Sequence, residues 1–110
     1  MGIALPSPIE LFFASENAHD PSAIDQCFAA GAVVRDEAKT ITGVTAIKAW
    51  RIETGQKYQH SVEPLTVSTR DGKVVVVKAR VSGNFPGSPI NLQHIFEIEG
   101  GRIVSLEIQP

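Results

Sequence analysis

Cysteine is nearly absent from this chain. Cys27 stands alone, so an intrachain disulfide is excluded and no thiolate cluster can form around a metal. It sits among apolar residues of a helical segment and reads as a small buried hydrophobe. Aromatic residues are scarce, at 6%, and no apolar run approaches the ~18 residues that span a bilayer as a helix. Neither sign of charge dominates: 10 Lys and Arg stand against 12 Asp and Glu, a net charge of −2. No basic cluster offers the footprint that nucleic acid requires. The N-terminus has neither the charged start nor the long apolar core of a secretory leader. Pro6 occupies the position where N-myristoylation of Gly2 needs Ser or Thr. The expectation is a cytoplasmic protein with no membrane and no nucleic-acid partner.

What remains is ordinary globular material, 43% apolar and 20% charged. A chain of 110 residues forms one domain, residues 1–110, and buries roughly two-thirds of its unfolded surface. The first half is helical. Ser7-Pro8 with Glu10 opens a helix, Pro8 being tolerated in a first turn. Ile9, Phe12 and Phe13 recur at helical spacing, with Glu10, Glu16 and Asn17 on the other side. Asp20-Pro21 caps a second short helix through Phe28, and Gly31 stops it. A short strand at Val33-Val34 follows. Thr42-Gly43 opens a third helix that carries Val44, Ile47 and Trp50 and ends near Gly55.

After Gly55 the period changes from helical to strand-like. Tyr58 to Thr69 reads as a strand, and Asp71-Gly72 is a hairpin signature. Val74 to Val77 is apolar on both faces, as in a covered strand. Pro86-Gly87-Ser88-Pro89 turns the chain. Leu92, His94 and Phe96 then share one strand parity, and Gly100-Gly101 makes the last turn before Ile103 to Ile108. The fold class is α+β, three helices on a curved, mostly antiparallel sheet.

Asp36 is the candidate of most chemical interest. A carboxylate at the end of a short apolar strand, between two helices, is expected to enter an interior cavity. Desolvation there raises its pKa and makes it a base. Two structural roles compete: bonding to turn amides, or pairing with Lys39. His94, on an apolar strand face, is either a hydrogen-bonded core histidine or a donor. Phe12, Phe13 and Trp50 are core residues first and ligand contacts second. His19-Asp20 is a helix cap. Tyr58 and His60 share a strand face that lines a pocket or a dimer contact. No metal site is expected, because His19, His60 and His94 lack ligand spacing.

Five segments together resemble the NTF2-like superfamily, in its SnoaL-like and ketosteroid-isomerase-like branch. They are Ile9-x-x-Phe12-Phe13-x-x-x-Asn17, Ala32-Val33-Val34-x-Asp36, Gly43-x-x-Ala46-Ile47-x-x-Trp50, Ser82 to Pro89, and Gly101 to Leu106. The resemblance implies an NTF2-like cone across the whole chain. It also places Asp36 where ketosteroid isomerases keep their general base. Two departures matter: Phe12 falls where a tyrosine donor is expected, and Leu92 near the position of a protonated aspartate. Steroid isomerisation by the usual mechanism is therefore not expected.

What the resemblance leaves open is a cofactor-independent isomerase, cyclase or lyase of polyketide-cyclase-like or dehydratase-like type. It would act on a small hydrophobic carbonyl compound with Asp36 and His94 as catalytic pair. Phe12, Phe13, Trp50, Tyr58, His60, Leu92 and Phe96 are then the expected substrate contacts. The alternative is a non-catalytic ligand-binding or dimerisation module. The sheet also predicts a homodimer, since Val74 and Val76 place apolar surface on a second face that Lys78 and Arg80 continue, with Glu97 or Glu99 as partners for the basic pair.

Overall fold

Pro8 sits in the first turn of α1 (Ser7–Ala18), where its missing N–H costs nothing. The computed structural model describes residues 4–110; Gly2, considered above for acylation, lies outside them. One face of α1 buries Ile9, Phe12, Phe13 and Glu16, the i, i+3, i+4, i+7 stripe of a helix packed on a core. Glu16 is thus on the buried face and not on the polar side with Glu10. His19 ends the helix in the left-handed region at φ 53°. Asp20 then caps the next turn, accepting from the backbone N–H of Ser22 at 3.0 Å and from its hydroxyl at 2.6 Å.

The second helix is shorter than its composition suggests. A 3-10 turn (Pro21–Ala23) leads into α2 (Ile24–Cys27), and Phe28 already begins β1 (Phe28–Asp36). Gly31 lies inside that strand, at a register irregularity opposite the last strand, so it does not stop a helix. The strand β2 (Lys39–Thr42) has no counterpart in the sequence pattern. A two-residue turn joins it to β1, with Glu37 at φ 51° and Ala38 at φ 64°, the backbone of a type I′ hairpin. Helix α3 (Val44–Tyr58) continues past Gly55, so Tyr58 closes a helix and does not open a strand. Tyr58 and His60 therefore share no strand face.

Four strands follow: β3 (Ser61–Arg70), β4 (Val74–Ser82), β5 (Ile90–Glu99) and β6 (Arg102–Gln109). The six-stranded sheet has the order β2-β1-β6-β5-β4-β3. Only β1 with β6 is parallel among the described pairs; the rest are antiparallel. Register fixes which residues face the helices. Val75 pairs with Phe96, Val77 with His94 and Ala79 with Leu92, and cross-strand partners share a face. Val75, Val77, Ala79 and Phe96 join Phe12, Phe28 and Leu106 in the core. Phe12 meets Phe28 and Phe96 edge-on, each pair with centroids 5.7 Å apart, an arrangement that adds to simple burial.

Val74, Val76, Lys78 and Arg80 alternate onto the opposite face, away from the helices. Val76 is nonetheless only 9% exposed, flanked across the ladders by Ser68 and Ile95. Arg80 already pairs with Glu63 of the same chain at 3.3 Å.

Candidate functional site

Between α3, the end of β1 and the inward face of β5 lies a cavity of about 310 Å³, whose lining includes Asp36, Trp50, Tyr58, His60, Leu92 and His94. Strand β1 delivers Asp36 to it because the tight turn at Glu37-Ala38 ends the strand there. The Asp36 carboxylate bonds to neither turn amides nor Lys39. The indole Nε1 of Trp50, near the middle of α3, donates to its Oδ2 at 3.2 Å. Partial burial is the main influence on Asp36 and raises its pKa from its ordinary value, with the Trp50 hydrogen bond opposing it.

His94 is 2% exposed. Burial lowers its pKa to about 4, so the ring is neutral at physiological pH. Its Nδ1 has no hydrogen-bond partner. A half-desolvated carboxylate and a neutral imidazole thus share one cavity.

A second polar cluster adjoins them. Glu16, Arg51 and His60 are 5%, 6% and 5% exposed. His60 Nε2 lies 2.6 Å from Glu16 Oε2, and Arg51 Nη1 lies 3.4 Å from Glu16 Oε1. Burial alone would raise the Glu16 pKa. The Arg51 charge and the His60 hydrogen bond outweigh it and hold the carboxyl below its ordinary value. An ionised Glu16 accepts a hydrogen bond from the His60 Nε2–H, and a protonated Nε2 has no lone pair to offer Arg51. The 3.1 Å approach of Arg51 Nη2 to the same nitrogen is then a contact and not a hydrogen bond. Arg51 Nη2 donates instead to Thr54 Oγ1 at 2.8 Å. A further cavity, about 400 Å³, opens on the other side of these three residues, toward His19, Gln56 and Gln59. Neither Asp36 nor His94 lines it, so the smaller cavity holds the candidate chemistry.

The structure brings Asp36, Trp50, Tyr58, His60, Leu92 and His94 together. Phe12, Phe13 and Phe96 lie beneath them in the core, with Phe13 edge-on to His94 at 5.2 Å, and are not part of the lining. Glu16 and Arg51 are site residues that the sequence pattern does not single out, although both follow a buried apolar residue at helical spacing, Phe12 and Ile47. Among the described residues no cluster of His, Cys, Asp and Glu is placed to hold a metal ion. Among the described residues no helix is long and apolar enough to cross a membrane.

Helices on one side of a mixed sheet, with a cavity closed by α3, define a class of small α+β cone proteins. The chain belongs to the SnoaL-like domain family, whose model matches residues 9–106. It is 41% identical to a candidate polyketide cyclase from Sinorhizobium meliloti, covering 96% of this chain and 95% of that one, with a TM-score of 0.90. A hypothetical protein of ketosteroid isomerase-like fold from Catenulispora acidiphila, solved in complex with trimethylamine, is 23% identical over 97% of this chain and 87% of its own, with a TM-score of 0.83. The epoxide hydrolase/cyclase-like enzyme SalBIII, of pyran ring formation in the polyether salinomycin, is 22% identical over 94% and 87%, with a TM-score of 0.80. The last two likenesses bear on fold alone. No match to a curated protein sequence was found.

Proposed function

We propose that this chain is a small-molecule pocket protein that moves a proton on a hydrophobic carbonyl compound without a cofactor, in an isomerase, cyclase or lyase reaction. Asp36 abstracts the proton alpha to the carbonyl, and His94 donates to the oxygen on which charge develops. The observation that carries the reading is the shared cavity: Asp36, held by Trp50, opens into the same 310 Å³ as the neutral His94 ring. Similarity to the candidate polyketide cyclase, 41% identical over nearly the whole of both chains, supports it.

The test works without the natural substrate in hand. A panel of cyclic and aryl ketones is incubated in deuterated buffer, and loss of the alpha-proton signal is followed by NMR. Catalysed exchange on some members, abolished by Asp36→Asn, is the expected result. No exchange across the panel, or exchange indifferent to Asp36→Asn, would overturn it.

A second reading has one observation in its favour. Phe12 is wholly buried and Leu92 is apolar, so two positions where isomerase relatives are expected to carry donors offer none. On that reading the cavity holds an uncharged ligand without turning it over, and Asp36→Asn leaves affinity almost unchanged. We also propose that the outward face of the sheet, with Val74, Val76 and Ile95, pairs with a second copy. Lys78 is then the cation available to Glu97 or Glu99 of the other copy, since Arg80 is engaged by Glu63.

A further inference from the structure

The charge of the cavity lining is unbalanced. Three carboxylates, Glu16, Asp36 and Glu37, line it with one guanidinium, Arg51. Arg51 is already engaged: it pairs with Glu16 at 3.4 Å, donates to Thr54 at 2.8 Å and stacks on the Trp50 ring at 4.3 Å. Glu16 thereby has its counter-ion. Asp36 and Glu37 have none within the lining. Asp36 accepts one neutral indole N–H at 3.2 Å, and the Tyr58 hydroxyl stands 3.5 Å from Glu37 Oε1. Two neighbouring carboxylates, one half-buried and one exposed, are therefore left without an ion-pair partner at the mouth of the cavity.

The exposed and half-buried part of the lining also carries the rings of Trp50, Tyr58 and Phe85, beside Pro86 and Ile90, with Tyr58 and Phe85 edge-to-face at 5.9 Å. Two of these rings already attract cations from the protein itself: Arg51 lies over Trp50, and Lys57 Nζ lies 5.1 Å from the centre of Tyr58. Lys57 is not part of the cavity lining. Ring faces beside carboxylates suit a weakly hydrated organic cation. A bare metal ion would need a set of ligands that the described residues do not assemble.

We propose that this mouth binds the positively charged nitrogen of a small organic amine or quaternary ammonium compound, held between Asp36, Glu37 and the rings of Trp50, Tyr58 and Phe85. The compound in the cavity is then an aminated molecule, and carboxylates and phosphates are repelled. The inference rests on the cavity of the proposed function but not on Asp36 acting as a base.

Trp50 is the only tryptophan, so its fluorescence reports on the mouth directly. The protein is titrated with choline and with 3,3-dimethylbutan-1-ol, which has the same shape with carbon in place of the charged nitrogen. Choline is expected to change Trp50 emission and to bind about tenfold more tightly than the alcohol, on the scale of a desolvated cation–aromatic contact. Glu37→Gln, at an exposed position, is expected to weaken choline severalfold and leave the alcohol unaffected. Equal binding of the two compounds, preference for the alcohol, or no binding of choline overturns the inference. Ketone exchange without choline binding would sink this inference alone. Choline binding without exchange would sink the catalytic reading alone.

Discussion

The Trp50 indole N–H points at the Asp36 carboxylate across 3.2 Å, so the first strand and the third helix meet at an acid that lines the same cavity as His94. That bond fixes the carboxylate's direction without neutralising it. Burial still dominates, and the Asp36 pKa stays above its ordinary value.

A raised carboxyl pKa makes ionisation of Asp36 a cost to folding. The native state holds its proton to higher pH than the unfolded chain, so stability falls as pH rises from the unfolded value, about 3.9, through the folded one. Asp36→Asn should therefore raise the melting temperature at pH 7, and the gain should vanish below about pH 3.9. Melting curves at several pH values check this. An Asn variant less stable than wild type at pH 7 contradicts the argument.

His94 acts in the opposite sense. Its folded pKa of about 4 lies below the ordinary value of 6.5, so the unfolded chain takes up a proton that the native ring refuses. Stability is lost as pH falls from about 6.5 toward about 4, by at most roughly 3 kcal/mol. His94→Gln should flatten that part of a urea-denaturation profile against pH. An unchanged slope would show that the ring is protonated in the native state.

The buried Glu16–Arg51 pair predicts an asymmetry between single and double substitutions. Glu16→Leu or Arg51→Met alone strands a charge and should cost about 3–5 kcal/mol. The double variant Glu16→Leu with Arg51→Met removes both charges and should recover much of that loss. Chemical denaturation of the three proteins measures the coupling, and strict additivity would mean that the pair is not felt.

Gly83 is a site of close approach. A Cβ there would lie 2.7 Å from the Tyr58 carbonyl oxygen and 2.9 Å from His60 Cα, both backbone atoms with little freedom to move. Gly83→Ala should destabilise by about 1–3 kcal/mol and loosen the junction that carries Tyr58 and His60. Wild-type stability in this variant would mean that the junction gives way easily.

Association through the sheet is tested on the outward face. The wild type should sediment as a dimer at micromolar concentration. Ile95→Glu should shift it to monomer with an unchanged far-ultraviolet spectrum. A monomeric wild type removes the proposal.

Strand parity is the most readable part of the chain. Counting by twos from Leu92 places His94 and Phe96 inward, and Asp71-Gly72 marks the β3–β4 hairpin, where both residues take positive φ, 51° and 71°. Strand β2 is not legible because Lys39, Thr40 and Thr42 are exposed and only Ile41 is partly covered; its order comes from backbone pairing with β1. The end of α3 is hidden because Gly55 looks like a stop. Here Gly55 accepts the capping bond from Gln59 at 2.9 Å and is packed against His19. Glu16 looks solvent-facing in the sequence because nothing near it shows its partners. His60 lies 44 positions away, and no local pattern reports such a pairing.

The parallel pairing of β1 with β6 sets an order of events. Val34 lies beside Leu106 and Arg35 beside Glu107, so the strand that ends at Asp36 stays unsupported on one edge until the last strand has been made. During synthesis the helices and β1 leave the ribosome long before their partner. The acid at residue 36 waits for residues near 106 to fix its place. The cavity is therefore among the last features to form, and a chain truncated before β6 would carry every proposed catalytic residue without a site to hold them.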